Sequence, residues 1–272
     1  MKVNNSYSIE NSVLQLSEAA NKKLFAAMQK IATGLQINSA ADDAAGLALS
    51  EKLNSATREA NQTVSNSRME QAMLQVADSD LSTISQNNQR IRDLAVQASN
   101  GTYGDSERQM IQEEVNQLRE ENDRIAQSST FSSKNLLDGS ASGTQVMTEQ
   151  DAPTTIDKGF ENASMQSLGL DDVDVTTPEN ARALIDKVDA AQTEVNSRRA
   201  ELGAISKSID NNIERTQVKA ENLMSANSTI RDTDIAKQMS EAVNAKIMMS
   251  ASVAMQSQAN SMNETVMGLL RT

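Results

Sequence analysis

A chain of 272 residues that is 38% hydrophobic yet only 2% aromatic, with two prolines and ten glycines, has the composition of long helices in thin layers, not of a globule anchored by aromatic rings. It has no cysteine, histidine or tryptophan, which removes disulfides, thiolate chemistry and the commonest general base and metal ligand, and disfavours most enzyme classes. A formal charge of -12 argues against nucleic acid or an anionic membrane as partner, since both attract basic surfaces.

The N-terminal stretch "MKVNNSYSIENSVLQLSEAANKK" lacks the unbroken apolar segment of a cleaved secretory signal, and no apolar run in the chain is long enough to span a bilayer. Ile9, Val13, Leu16, Ala20, Leu24, Ala27, Ile31 and Leu35 recur at helical spacing and predict a first helix with one apolar stripe. It must give way within "GLQINSAADDAAGLALSEKL", Gly34 to Leu53, where Asn38, Ser39, Asp42 and Asp43 separate two apolar stripes. Paired acids can hold a metal or run acid–base chemistry, but no third hard ligand lies nearby. Ser39-Ala-Ala-Asp42 instead fits a capping box, in which the hydroxyl accepts an amide and the acid reaches back, and Asp43 is favoured near the positive helix end.

From Leu49, the positions Leu53, Ala56, Ala60, Thr63, Ser67, Glu70, Leu74, Ala77, Leu81, Ile84, Asn88, Ile91, Ala95 and Ala98 follow in strict steps of three and four, which predicts one long helix stopped by Gly101 and Gly104. A shorter helix carries Ile111, Val115, Leu118, Asn122 and Ile125. Residues 128–177 have no helical period, hold both prolines or border them, and alternate briefly at "TQVMT" and "DDVDVT", so short hairpins and loops are expected there. Thr177 and Pro178 then read as N-cap and first residue of another long helix, whose stripe runs Leu184, Val188, Ala191, Val195, Arg198, Leu202, Ile205, Ile209, Asn212, Thr216, Lys219, Leu223, Ala226 and Ile230. Asn88 and Asn212 interrupt these two series; a polar residue at such a seam either fixes register or faces solvent.

The last helix approximates a stripe of Ile235, Met239, Val243, Ile247, Ala251, Ala254, Met262, Val266 and Leu269, crowded by Met248, Met249, Met255 and Met267. Methionines in that number suit a face that packs variably against neighbours. At 1.5 Å per residue the long helices would be roughly 80 to 85 Å and the terminal ones about 50 Å. The fold expected is mainly α, an elongated antiparallel bundle or coiled coil of long helices with a small β-hairpin region in the middle of the chain. Residues 1–42 carry a net +1 and residues 231–272 a net of zero, so the middle carries -13, the -12 total less that +1. Near-neutral ends suit packing against copies of the same chain, and an acidic middle suits exposure. Three parts follow: 1–42 and 231–272 as the two halves of one helical domain, and 43–230 as a rod that includes the 128–177 hairpins.

"KIATGLQINSAADDAAGLALSEKL" closely resembles the region of bacterial flagellins in which "SGLRIN" leads to "DDAAGLAI", and "MEQAMLQVADSDL", "QRIRDLAVQASNGT", "FSSKNLLDG" and "VMGLLRT" fall in matching order. The resemblance covers both ends and most of the long helices. Departures are Thr33 for the usual Ser, Ser132 and Ser133 where Asn and Gly are common, Asp93 where Glu is usual, and Thr272 beyond the usual Leu-Leu-Arg end. Residues 128–177 leave no room for the large outer domains that many flagellins insert.

The resemblance implies a structural subunit that polymerises into the helical flagellar filament for motility. It would be exported through the flagellar secretion system to the extracellular flagellum, with an export chaperone and the hook–filament junction and cap proteins as partners. The terminal stripes, Ile9, Val13, Leu16, Leu24, Ile31, Leu35, Ile235, Met239, Val243, Ile247, Met262, Val266 and Leu269, would form the self-assembly core. It further places Gln89, Arg90, Leu94 and Glu114 where a Toll-like innate immune receptor senses flagellins. The alternative within this class is a hook–filament junction protein, with similar terminal helices but a short ring as product. Some flagellins carry a metallopeptidase in the variable centre, but such a site needs His-Glu-x-x-His and this chain has no histidine; no cofactor is expected.

Overall fold

The computed structural model describes residues 2–149, 152–156 and 159–270, with side chains described for 11–146, 155–156, 159–262 and 264–265. Among these, the chain forms α1 (Lys2–Thr33), α2 (Ala44–Ala98), α3 (Asp105–Ser128), β1 (Thr130–Phe131), β2 (Lys134–Asn135), β3 (Thr144–Glu149), β4 (Ala152–Ile156), α4 (Pro178–Arg231) and α5 (Ile235–Leu270). The architecture is mainly α, and each helix read from the heptad and helical stripes is present within a few residues of its expected ends. Two compact units result: a terminal unit of residues 1–58 with 221–272, and a central unit of residues 59–220.

In the central unit α2 and α4 run antiparallel, because polar pairs between them descend on one helix as they climb the other: Gln71 with Asp210, Asp78 with Arg199, Ser85 with Gln192 and Arg92 with Asp189. The predicted seam is the core. Leu74, Ala77, Leu81, Ile84, Ile91, Ala95 and Ala98 from α2 are buried together with Leu184, Val188, Ala191, Val195, Leu202, Ile205 and Ile209 from α4 and Ile111, Val115 and Ile125 from α3. Arg198 sits in that seam because each of its three guanidinium nitrogens faces an acceptor: Glu194, the Glu161 and Asn162 carbonyls, and the Glu161 carboxylate at 3.5 Å. Beyond Thr216 the α4 stripe fails, since Lys219 and Ala226 are exposed and Ala220 is buried instead.

Asn88 and Asn212 are both buried, so neither faces solvent. Asn122 on α3 donates to Asn88 Oδ1 at 3.1 Å while its own Oδ1 accepts from Asn87 at 2.7 Å. One helical step in either direction would break both of these bonds, at about 1 to 3 kcal/mol for each group left unsatisfied, so Asn122 holds the α2–α3 register even though Asn88 Nδ2 is itself buried without a partner.

Residues 129–177 hold two antiparallel strand pairs, β1 with β2 and β3 with β4. "TQVMT" lies in β3 as its alternation predicts. "DDVDVT" does alternate, with Val173 and Val175 buried, but forms no strand. Its main-chain groups are taken by side chains: Gln112 donates to Val173 O at 2.6 Å and accepts from Val175 N at 2.7 Å, while Arg108 donates to Thr176 O and Arg119 to Asp171 O. Thr177 Oγ1 accepts from Asn180 N at 3.2 Å, the cap expected before Pro178.

The β1–β2 hairpin turns through Ser132 and Ser133, at φ 49° and 68°. A two-residue loop with both φ values positive favours Asn-Gly, and two serines hold it against the Cβ penalty of the left-handed region. Replacing Ser132-Ser133 by Asn-Gly should therefore stabilise the central unit by about 1 kcal/mol. The measurement is a urea transition, in which the midpoint rises at unchanged slope; a midpoint that stays or falls would show the serines carry no strain.

Candidate functional site

The terminal unit pairs α1 with α5. Each helix turns a seven-residue repeat toward its partner, Val13, Ala20 and Ala27 on α1 and Gln238, Ala245 and Ser252 on α5, with Ala259 half-buried at the next step. These side chains are small or polar, and the large apolar ones lie elsewhere. Leu14, Leu16, Phe25 and Met28 on α1 are exposed, Phe25 at 74%. So are Ile235, Met239, Val243, Ile247, Val253, Met255 and Met262 on α5, Met262 at 61%. At 100° per residue, Ile235, Met239, Val243 and Val253 fall on one side of the buried α5 face, and Met255 and Met262 on the other.

The sequence reading is thereby corrected in one respect and extended in another. On α1, Val13 is buried and Leu24, Ile31 and Leu35 are half-buried as members of the packed stripe, whereas Leu16 is exposed. On α5 the stripe of Ile235, Met239, Val243 and Ile247 stays exposed, and the heptad of Gln238, Ala245, Ser252 and Ala259 is the face that is buried. Small polar residues score poorly as a stripe, which hid it, although their spacing was there to be counted. The side chains of Ile9, Val266 and Leu269 lie outside the described residues.

A junction within the same unit joins the helix pair to α2 and α4. Gly34, at φ +72°, ends α1 with its amide on Lys30 O at 2.9 Å, and Thr33 Oγ1 accepts from Leu35 N, which a serine hydroxyl would do equally. The chain then pairs with the end of α4: Gln36 N donates to Arg231 O at 2.6 Å, Thr233 N donates to Gly34 O at 3.0 Å, and Leu35 bridges Asp232. Arg231 reaches across to Ile37 O, Ser50 Oγ and, at 3.1 Å, Glu51. Its guanidinium thus ties three strokes of chain at once.

The paired aspartates divide the capping work. Asp43 is the N-cap of α2, its Oδ1 accepting from Ala45 N at 3.0 Å and Gly46 N at 2.9 Å. A Cβ at Gly46 would fall 2.5 Å from Asp43 Oδ2 and 2.7 Å from Ile37 Cδ1, so any larger residue would push the cap and Ile37 aside. Asp42 reaches back to Asn38 N and Ser39 N, as expected, but Ser39 Oγ donates to Asp42 Oδ2 at 3.1 Å instead of accepting a helix amide. Asn38 Nδ2 donates to Leu35 O. The Ser39 and Asn38 amides, and then the Ser39 hydroxyl, hold the Asp42 carboxyl below its ordinary value.

In the central unit, Gln89 is exposed and Arg90 makes a half-exposed ion pair with Glu114 at 2.6 Å. Leu94 is 2% exposed and belongs to the core, so it is not a surface contact as the resemblance had it.

Residues 4–142 match the family model for the bacterial flagellin N-terminal helical region, and residues 185–270 that for the bacterial flagellin C-terminal helical region. The chain is similar to the flagellar filament 31.3 kDa core protein of Treponema maltophilum, 36% identical over 96% of each chain, and to flagellin of Bacillus subtilis, 34% identical over 100% of each. Among solved structures it resembles Bacillus cereus flagellin, with a TM-score of 0.51 and 26% identity over 60% of this chain and 94% of that one.

Asp43→Ala should cost the terminal unit about 1 kcal/mol, the usual worth of a lost N-cap. Asp42→Asn tests the turn before it through pH. A carboxyl lowered on folding stabilises above its unfolded value near 3.8, and that stability is lost as pH falls through the lower folded value. Acid titration of helicity should therefore show a low-pH loss in the native chain that is smaller in the Asn variant; identical acid profiles would remove Asp42 from the junction's stability.

Proposed function

The chain belongs to the bacterial flagellin family and is a structural subunit of the flagellar filament, and we propose that it polymerises through the outward apolar faces of α1 and α5. The observation that carries this reading is the inverted distribution in the terminal unit, where small residues are buried and Phe25, Ile235, Met239, Val243, Ile247 and Met262 are exposed. Exposed apolar surface of that extent needs a partner, and two separated faces on α5 suit contact with more than one neighbouring subunit. Residues 1–42 and 231–272 are then the two halves of the filament-core domain, and 43–230 the rod domain. Val13, Leu24, Ile31 and Leu35 serve it by joining α1 to the assembly, with Ile9, Val266 and Leu269 in the same role.

The finer partners rest on the family resemblance. An export chaperone would cover the α5 face before assembly, the hook–filament junction and cap proteins would meet the same terminal helices at the filament's ends, and the exposed Gln89 and Arg90 with the half-buried Glu114 would be offered to a Toll-like innate receptor. The destination is the extracellular flagellum by way of the flagellar secretion system; no described helix is long and apolar enough to cross a membrane. The hook–filament junction reading gains no support beyond that given to the filament subunit, and the family is a structural one, which fits a subunit without catalytic chemistry.

Val243→Asp should abolish filament formation by the purified chain while its helical content and urea transition are retained, because a carboxylate buried unpaired at every subunit contact costs several kcal/mol each time. Sedimentation and electron microscopy read the outcome, and filaments of normal length from this variant at neutral pH would remove α5 from the interface. The -13 carried by residues 43–230 repels neighbouring copies, so assembly of the native chain should speed up with ionic strength as that repulsion is screened. A steady slowing with added salt would mean that attraction between charges, not apolar contact, drives it.

A further inference from the structure

The turn after α2 carries the chain's one Asn-Gly pair, Asn100-Gly101, and both residues are exposed. Three features of its geometry converge on a single reaction. Thr102 N donates to Asn100 Oδ1 at 3.2 Å, which curls the side-chain carbonyl over the following peptide and places a donor where negative charge would gather on that oxygen. Among the described residues no acceptor takes the Gly101 N–H, so the nucleophile is not tied up. A Cβ built on Gly101 would meet nothing within 4 Å, so no neighbouring side chain or backbone crowds the nucleophile's residue.

We propose that Asn100 is a site of spontaneous self-modification by deamidation through a succinimide. The Gly101 nitrogen attacks Asn100 Cγ and loses its proton; the new N–Cγ bond forms as the Cγ–Nδ2 bond breaks, and ammonia leaves. Water then opens the imide at either carbonyl, so that the net change is asparagine plus water to aspartate or isoaspartate plus ammonia. The chain supplies its own control. Asn162 has the same side-chain turn, accepting from Ser164 N at 2.8 Å, but the next nitrogen, that of Ala163, donates to Leu137 O at 2.8 Å, and Ala163 is fully buried.

Either product alters the end of α2. Asn100 N donates to Gln97 O and its carbonyl accepts from Tyr103 N, so residue 100 closes the turn that joins α2 to α3. A carboxylate there faces the negative end of the helix. Isoaspartate in addition reroutes the main chain through the side chain, lengthening the link between the Gln97 and Tyr103 bonds. The modification is therefore an ageing step that loosens this turn.

The test is incubation of the purified full chain at mildly alkaline pH, folded and in urea, followed by peptide mapping. In the folded protein the peptide containing Asn100 should gain about 1 Da and isoaspartate, while the Asn162 peptide stays unchanged and Gly101→Ala suppresses the gain. Aged native protein should melt below fresh protein, and aged Asn100→Gln should not. An unmodified Asn100 peptide overturns the proposal, as does modification of Asn162 at the same rate. So does a large acceleration in urea, which would mean that the fold protects this bond instead of promoting its reaction.

Discussion

Where α1 meets α5, the contact is made by Val13, Ala20 and Ala27 against Gln238, Ala245 and Ser252, and side chains of that size bring two helix axes to the short end of the usual 8 to 10 Å range. A contact that close has no space for Phe25 or Met239, so the bulky apolar residues of both helices must point away from it. The pair is consequently under-buried by itself. About 1 to 2 kcal/mol of backbone entropy per ordered residue has little single-chain burial to set against it, and neighbouring copies are the available source of the rest. Small buried residues and large exposed ones are two views of one packing choice, and polymerisation follows from it.

The central unit uses the same seven-residue period to the opposite end. There the seam positions carry Leu74, Leu81, Ile84 and Ile91 facing Leu184, Val195, Leu202 and Ile209, which fill the space between the helices and leave only scattered exposed side chains such as Met69, Val96, Met110 and Val218. Specificity is added by polar groups that are expensive to misplace: Asn122 between Asn87 and Asn88, and Arg198 with an acceptor at each guanidinium nitrogen. Side chains also replace a missing β ladder, since Gln112 serves both Val173 O and Val175 N as a second strand would. What differs between the two units is residue size at the repeat, not the repeat.

That difference explains what could be read in advance. The helices, the stop at Gly101, the start at Pro178 and the seams of α2 and α4 were legible because large aliphatic residues at steps of three and four outweigh local noise, whereas α1 stops at Gly34, before the Asn38–Asp43 stretch where it was expected to give way. Asp42 and Asp43 were legible as helix-start residues, but not the division of labour between them, which depends on where Gly46 and Ile37 crowd the cap. The α5 face turned to α1 was missed because apolar scoring favours Ile235 and Met239 over Gln238 and Ala245, and nothing within α5 says which side its partner takes. Leu94 was misplaced for a related reason: a family motif marks a stretch of helix, and only packing tells which of its residues are outside. "DDVDVT" alternates as a strand does, but its partner, Gln112, lies on a helix 61 residues from Val173, where no local pattern could reveal it.

Junction and surface respond to different physics. Arg231 holds Ile37 O, Ser50 and Glu51 by hydrogen bonds of 3.1 to 3.4 Å, with its own side chain only 20% exposed, so that dissolved salt reaches the guanidinium less than it reaches the surface pairs. The pairs of Arg90 with Glu114 and Arg92 with Asp189 are roughly half exposed, and such pairs are worth little and are screened further as salt rises. Added salt therefore weakens the repulsion spread over the acidic middle of the chain and the minor surface pairs together, while the main-chain pairing of Leu35 with Asp232 and the capping of α2 by Asp43 are left in place. The chain can associate more readily without loosening the connection that presents its terminal helices, because that connection is built from hydrogen bonds at contact distance and not from charges acting through water.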